Sequence, residues 1–405
     1  EVGEADSAVS DSGISDSGTA DSGGEECGLP CTPEAPPAGP TLAWATHPCE
    51  DWTIAMDFTD IPDTVLMGER GACADPEIDG TLSLVDMNTR AALWTIPYPP
   101  AADLASIFDT SRNGEHLFAE TNAAPGEWNP FSCYEIRDAT DGHVTTQVLG
   151  SGEYASFMAG TFVNEMVGVG TLDITFEGVT VFSLTQTGLV DIADAVAFHT
   201  QPPATCCDFG YPLRYVGDAN GDGLEDAVVM GGGAWLLDGT IIGQDEGILA
   251  AAALENFDGF SGSRSFTALG DVTGDGLDDF SSSQEAVVSY IQIVAGGEVP
   301  TGTAKIEAVL DGWLDLESVS PVGDLGSPDA NGMLVVVPFE HERSEGGTEL
   351  WLIDGPLCNA TYVVQEIGSK LVEPGPFSAG YAISNDRWVV ATDGLVQGQY
   401  LFAEL

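Results

Sequence analysis

Short apolar runs separated by turn residues make up most of the chain from about residue 42 to its C-terminus. No segment sustains the 3.6-residue apolar period of an amphipathic helix. Runs of this length, rich in β-branched and aromatic side chains and bounded by Gly, Pro, Asn and Asp, are typical of β-strands. The pattern therefore predicts an all-β chain. The runs used for this prediction are 53–56, 64–67, 117–119, 166–169, 333–337 and 387–391.

One apolar-x-apolar stretch recurs along the chain and closes on a turn each time. Its copies end at residues 86, 138, 185, 238, 295 and 354, in steps of 47 to 59 residues, and the C-terminal stretch 400–405 is a seventh copy. A period near 50 residues is typical of β-propellers, in which each repeat is one four-stranded sheet. We therefore predict a seven-bladed β-propeller of four-stranded antiparallel sheets over residues 41–405. Stacked β-sandwiches are the competing all-β interpretation.

A propeller must also cover the free edge of its last sheet, because unpaired strand edges recruit other chains. The run 41–46 is the candidate strand for this role, paired with the final strands of the chain.

Two nine-residue loops share a pattern of oxygen-bearing side chains. They cover residues 218–226 and 271–279, begin 53 residues apart, and carry such side chains at positions 1, 3, 5 and 9 with Gly at position 6. Ca²⁺ takes six to eight oxygen ligands at short distance, and Gly permits the tight turn. The backbone carbonyl at position 7 adds a further ligand. The predicted ligands are Asp218, Asn220, Asp222, Leu224 and Asp226 in the first loop, and Asp271, Thr273, Asp275, Leu277 and Asp279 in the second.

An EF-hand is the main alternative for these loops. Its loop closes on a bidentate Glu at position 12, where this chain has Val229 and Ser282. The runs on either side of the first loop, 213–216 and 227–230, have the character of strands rather than of helices. We therefore expect both loops to connect β-strands. Acidic turns that bind no metal are the remaining interpretation.

The segments around both loops resemble FG-GAP repeats, which build the propellers of integrin α-subunits and their bacterial relatives. The first segment, 209–233, begins with Phe-Gly-Tyr and continues through Val-Gly-Asp-Ala-Asn-Gly-Asp-Gly-Leu-Glu-Asp; the second, 266–280, matches almost as well. The resemblance implies a seven-bladed propeller with structural Ca²⁺ held by the ten residues named above. Residues 323–332 look like a decayed third copy, and the other repeats rest on spacing alone.

The charge of the chain limits its partners. Its 65 Asp and Glu residues against 10 Lys and Arg give a net charge of −55. Binding to nucleic acid depends on neutralising phosphates with Lys and Arg, so nucleic acid is excluded as a direct partner, and anionic membrane surfaces are disfavoured for the same reason. The eight cysteines predict disulfides and an oxidising compartment.

Residues 1–40 are predicted to form a disordered acidic linker or stalk rich in Asp, Ser and Gly, because such a composition buries too little apolar surface to fold. The tract resembles the spacers of bacterial surface lipoproteins, which is compatible with a lipid anchor upstream of residue 1. No stretch of about 18 apolar residues predicts a transmembrane helix.

Candidate catalytic chemistry is sparse in this sequence. The five histidines are scattered, and neither a nucleophile elbow, a His-Glu-x-x-His pair nor a phosphate-binding Gly-rich loop occurs. We therefore expect a binding or adhesion module rather than an enzyme, secreted or on a bacterial cell surface, with an extracellular protein or polysaccharide as its partner. Two alternatives stay open: a polysaccharide lyase or hydrolase on a propeller scaffold, and a structural subunit of a surface layer or filament.

Overall fold

The fold is taken from a computed structural model. It describes residues 43–46, 52–58, 61–70, 80–98, 103–110, 116–122, 132–149, 156–173, 176–200, 210, 213–230, 234–244, 247–248, 252–253, 264–284, 290–297, 301–307, 318–323, 330–339, 347–358, 360–371, 379–385, 387–393 and 399–404. The predicted tail, residues 1–40, lies outside this set, so its boundary with the propeller stays a prediction.

Strands account for nearly all regular structure in the described residues. They are β1 Ala43–Thr46, β2 Trp52–Phe58, β3 Thr64–Arg70, β4 Gly80–Asp86, β5 Ala91–Tyr98, β6 Asp103–Thr110, β7 His116–Asn122, β8 Ser132–Asp138, β9 Val144–Leu149, β10 Ser156–Val163, β11 Met166–Asp173, β12 Phe176–Ser183, β13 Gly188–Asp191, β14 Ala197–Thr200, β15 Leu213–Gly217, β16 Asp226–Met230, β17 Ala234–Leu237, β18 Gly247–Ile248, β19 Ala252–Ala253, β20 Arg264–Gly270, β21 Asp279–Gln284, β22 Tyr290–Ala295, β23 Thr301–Glu307, β24 Ser318–Val322, β25 Gly332–Phe339, β26 Gly347–Ile353, β27 Thr361–Val363, β28 Ser369–Lys370, β29 Ala379–Ser384, β30 Trp388–Asp393 and β31 Gln399–Glu404. One 3₁₀ turn, Ile192–Asp194, and one short helix, α1 Val364–Ile367, complete the set.

The described strands form seven sheets. We number them 1 to 7 in the order of their first strands, which are β2, β6, β10, β15, β20, β24 and β29. Each first strand contacts the first strand of the next sheet, and β29 contacts β2. This cyclic order of contacts is the order expected of a propeller, whereas stacked sandwiches would pair their faces two by two. The predicted all-β class is confirmed.

The repeated apolar-x-apolar stretch has a fixed place in this arrangement. Its copies fall on β4, β8, β12, β17, β22, β26 and β31, which are the third strands of the seven sheets. The second strands beside them supply much of the core: Val65, Leu66 and Met67 of β3 are buried, as is all of β16. Continuous burial on both faces explains why these strands read as unbroken apolar runs.

Three sheets have a fifth strand in addition to the four antiparallel strands predicted. Strands β13, β18 and β27 each add a fifth strand, parallel to β9, β14 and β23 respectively. Each arises in the connection between the third and fourth strands of one sheet and pairs with the outer strand of the preceding sheet. The added strands therefore cover outer edges and tie neighbouring sheets together. Their lengths of two to four residues leave almost no periodicity for sequence reasoning to detect.

The last sheet contains the N-terminal strand, as predicted. Strand β1 pairs antiparallel with β31, with Ala43 opposite Phe402 and Thr46 opposite Gln399. Sheets 7 and 1 also meet at Asp63, whose Oδ1 accepts hydrogen bonds from Arg387 Nη1 at 2.6 Å and Trp388 Nε1 at 2.8 Å. The first described strand and sheet 1 are thus joined to sheet 7 by strand pairing and by a side-chain contact.

Two further features bear on the sequence predictions. Cys358 is disulfide-bonded, in agreement with the expected disulfides, while Cys27, Cys31, Cys49, Cys73, Cys206 and Cys207 lie outside the described residues. Within the described ranges, no helix has both the length and the apolar character needed to cross a bilayer.

Candidate metal centre

Both acidic loops connect the first strand of a sheet to its second strand. The first loop (residues 218–226) joins β15 to β16, and the second loop (residues 271–279) joins β20 to β21. The predicted strand–loop–strand context is therefore confirmed, and the EF-hand alternative is excluded. Because the first strands of neighbouring sheets run side by side, both loops lie at the same end of the ring.

The two loops adopt one backbone conformation. In the first, Gly217, Gly221 and Gly223 have φ of 84°, 79° and 88°; in the second, the equivalent glycines at 270, 274 and 276 have φ of 67°, 79° and 89°. These values lie in the left-handed region that a residue with a Cβ resists. The calcium-loop pattern requires only the glycine at position 6, whereas each loop has three left-handed glycines.

The Asp at position 1 organises the backbone of its loop. Asp218 Oδ1 accepts N–H bonds from Gly221 at 2.9 Å and Asp222 at 3.0 Å, and its Oδ2 accepts from Gly223 at 2.9 Å. Asp271 repeats this set with the N–H groups of residues 274, 275 and 276 at 2.6, 3.1 and 2.7 Å. Three donors on one carboxylate hold the turn closed.

Positions 3 and 5 add shorter-range bonds. Asn220 Oδ1 accepts from the amide of Asp222 at 2.9 Å, and Asp222 Oδ1 accepts from the amide of Leu224 at 2.8 Å. In the second loop, Asp275 Oδ1 accepts from the amide of Leu277 at 2.9 Å. Asp222 and Asp275 are solvent-exposed, and each is held by this backbone N–H bond.

The Asp at position 9 is buried in both loops and is held by backbone N–H groups. Asp226 accepts from Asn220 at 3.2 Å and Gly239 at 2.8 Å. Asp279 accepts from Val272 and Thr273, both at 2.8 Å, and from Gly296 at 2.9 Å. Gly239 and Gly296 lie in the turns that follow the third strands of their sheets. The position-9 carboxylate therefore connects its own loop to that turn of the same sheet.

Burial dominates the electrostatics of these two carboxylates. It raises the pKa of Asp226 and that of Asp279 to about 7, although their N–H partners act in the opposite direction. The neighbouring charges that act on them are further carboxylates, Asp222 and Asp238 on Asp226 and Asp275 on Asp279, which raise the pKa further. Burial also raises the pKa of Asp271. Each loop therefore concentrates negative charge, and the charges that shift the position-9 groups are all negative.

The donor set suits a hard cation, but the carboxylates of the loops stand apart. Ligands at 2.3–2.6 Å from one Ca²⁺ lie at most about 5 Å from each other. Among the described residues, a group of three acidic or imidazole side chains within 4.8 Å of one another occurs at Asp138, Asp141 and His143, and not in either loop. Binding of one ion at either loop therefore requires its carboxylates to rearrange.

The Asp138, Asp141 and His143 group lies in the exposed turn between β8 and β9. Asp138 Oδ1 accepts from the Thr140 amide at 2.8 Å, and His143 Nδ1 lies 2.5 Å from Asp141 Oδ1. These contacts lower the pKa of both carboxyls and raise the pKa of the imidazole. The group is satisfied as an ordinary polar turn.

Sequence reasoning missed the contacts made at position 8. Glu225 Oε2 accepts from the Asn164 amide of sheet 3 at 2.6 Å, and Asp278 Oδ2 accepts from the Asp218 amide of sheet 4 at 2.8 Å. Asn331, which precedes β25 in the predicted decayed copy, donates its amide to the Asp271 carbonyl at 2.6 Å. The residue at this position thus reaches the preceding sheet each time. An acid at position 8 of both loops was the only sequence signal.

Comparisons with known proteins agree with the fold. No protein-family model matches the chain, and no curated protein matches it. Among solved structures, the chain is similar to the β-propeller domain of Cps50 (Swd1) from Myceliophteria thermophila, at 12% identity and a TM-score of 0.54, over 90% of this chain and 99% of that one. It also matches Hsv2p of Kluyveromyces lactis, at 10% identity and a TM-score of 0.48, over 84% of this chain and 89% of that one. The chain has a β-propeller fold.

Proposed function

We propose that this protein is an extracellular calcium-stabilised β-propeller that serves as a binding or adhesion module. The proposal depends on one observation: two loops in neighbouring sheets repeat the same three left-handed glycines, the same Asp-centred N–H bonds and the same buried position-9 carboxylate. A single acidic turn arises readily as a local backbone motif. Two matching loops, each with a buried acid surrounded by other acids, favour a structural cation.

The cation proposed is Ca²⁺, bound through oxygen atoms only. The side chains of Asp218, Asn220, Asp222 and Asp226 and the Leu224 carbonyl would hold it in the first loop. The corresponding ligands in the second loop are Asp271, Thr273, Asp275, Asp279 and the Leu277 carbonyl. When bound, Ca²⁺ neutralises carboxylates that otherwise repel one another. The resemblance of both segments to FG-GAP repeats supports this assignment.

The role as a binding module rests on the fold and on the charge. A propeller exposes the turns between its strands on two broad faces. No helix in the described residues is long and apolar enough to cross a membrane. Propellers of this kind commonly act as platforms for other macromolecules. With a net charge of −55, a cationic or calcium-bridged extracellular protein or polysaccharide is the partner that electrostatics favour. A disulfide at Cys358 is compatible with an oxidising compartment.

The test of the metal sites is thermal unfolding with and without calcium. At a free concentration one hundred times the dissociation constant, each site adds about 2.7 kcal/mol to the free energy of unfolding. Calcium should therefore raise the melting temperature relative to EDTA at low ionic strength, and isothermal titration should give a stoichiometry of two. Asp222→Ala and Asp275→Ala should each reduce the stoichiometry to one. An unchanged melting temperature in EDTA would refute the metal assignment.

A further inference from the structure

The two loops touch each other directly. Asp278 Oδ2 accepts the Asp218 amide at 2.8 Å, and the Asp278 amide faces the Asp218 carbonyl at 3.4 Å. The Ala219 carbonyl accepts the Gly297 amide of the second loop's sheet at 2.7 Å. A side chain also crosses the junction, because a Cβ added at Gly221 would stand 2.7 Å from Leu277 Cδ2. The first loop is therefore built partly on the second.

Asp278 has a special place in this junction. In the chain it lies between two proposed ligands of the second site, the Leu277 carbonyl and Asp279, yet its own carboxylate faces the other loop. There it fixes the amide of Asp218, the residue that supplies the first ligand of the first site. The fit is close, because a Cβ at Gly217 would stand 2.3 Å from Asp278 Oδ2. Asp278 is thus a residue of one loop that positions the other.

We propose that Asp278 is a positioning residue that couples the two metal loops, so that calcium bound at the second loop increases the affinity of the first. This inference rests on the proposed calcium function. Drawing residues 275, 277 and 279 around one cation orders residue 278 between them. An ordered Asp278 holds the Asp218 amide and the start of the first loop, which then loses less conformational freedom when it binds its own ion. By linkage, the first site must favour the second by the same factor.

The chain supplies a matched control for this proposal. Glu225 occupies position 8 of the first loop and makes the equivalent contact with Asn164, which belongs to sheet 3 and to neither metal loop. Glu225→Ala and Asp278→Ala each remove a position-8 acid and a contact between sheets. Only Asp278→Ala removes the side-chain hydrogen bond from one metal loop to the amide of the other.

The experiment is a calcium chloride titration by calorimetry on the full chain and three variants. Wild-type protein and Glu225→Ala should bind two ions with a Hill coefficient above one, whereas Asp278→Ala should bind two ions independently. Asp275→Ala, which retains only the first site, should bind calcium at least about fivefold more weakly at that site than the wild type does with its second site filled. Equal affinities in these two proteins would overturn the coupling and leave the calcium function standing.

Hydrogen exchange tests the same link without altering Asp278. In Asp222→Ala, where only the second loop binds, added calcium should slow exchange of the Asp218 amide. Binding at the second loop with no change in that amide would overturn the proposal. If wild-type protein shows neither binding heat nor a change in melting temperature, the calcium function itself fails, and the coupling fails with it.

Discussion

The two buried position-9 carboxylates predict an unusual pH dependence for the metal-free protein. Asp226 and Asp279 each have a folded-state pKa of about 7, against 3.8 for an exposed Asp. Between these values the folded state binds more protons than the unfolded state, so stability falls as the pH rises. The cost is absent below pH 4 and complete above pH 7. A difference of about three units corresponds to about 4 kcal/mol for each carboxylate as an upper limit.

Other groups with shifted pKa values affect stability either below pH 4 or in the same direction as the two carboxylates, where a control variant or salt can separate their effect. The lowered pKa values of Asp63, Asp86, Asp138 and Asp141 contribute stability that is present above pH 4 and is lost only in acid. The raised pKa values of His143 and Asp271 also make stability fall as the pH rises, in the same direction as Asp226 and Asp279, and both groups remain in the variant that removes those two carboxylates. General repulsion also grows with pH, but about 0.5 M salt shortens its range to a few ångströms.

The assay is urea unfolding in EDTA and 0.5 M salt at pH 5 and pH 8. We expect a higher midpoint at pH 5, because protonated carboxyls carry no burial cost. The double variant Asp226→Asn and Asp279→Asn keeps the shape of both side chains without an ionisable group, and its two midpoints should lie much closer together. His143→Asn serves as the control and should retain most of the difference. Calcium should reverse the order in the wild type, because protons compete with the ion. A double variant with the full wild-type difference would refute the argument.

Three further outcomes follow from the same contacts. Gly217→Ala should destabilise the protein more than Gly223→Ala in urea unfolding, because both share the left-handed conformation but only the first meets Asp278, while space at residue 223 is open. Asp63→Gly, which tolerates the left-handed φ of 57° but has no acceptor, should lower the thermal midpoint more than Asp63→Asn, which keeps an acceptor oxygen for Trp388; equal effects would contradict a stabilising role for this contact. Deleting residues 1–47 removes β1 and should lower the single cooperative transition of the whole ring; a loss confined to the last sheet, seen by hydrogen exchange, would contradict it.

The architecture could be predicted because its repeats are regular. The third strand of every sheet carries the same apolar-x-apolar stretch, and the step near 50 residues leaves room for three more strands in each unit. The pairing of β1 with β31 was predictable for a related reason, since a ring needs a strand to cover its last edge. These features depend on burial and periodicity, which sequence encodes directly.

The added fifth strands and the contacts between loops could not be predicted in the same way. Strand β18 has two residues, and its pairing with β14 depends on where the connection of the next sheet passes. Likewise, Leu-Glu-Asp226 and Leu-Asp-Asp279 are nearly identical in sequence, yet the residue at position 8 contacts Asn164 in one case and Asp218 in the other. The contact partner is set by the neighbouring sheet, and the sequence of one repeat contains no information about that neighbour.

Each loop contains a full set of oxygen ligands, so the sequence of either loop alone implies independent binding. The contacts at position 8 argue against it. Each of these contacts runs from a loop to the preceding sheet. The second loop therefore holds the first through Asp278, and the first loop holds Asn164 through Glu225. The segment around Asn164 has no ligand pattern. A cation at the proposed second site would therefore stabilise a chain of contacts that passes through the first loop and into sheet 3. Calcium at one end of this chain would stiffen three consecutive sheets, which is a larger effect than closing two separate turns.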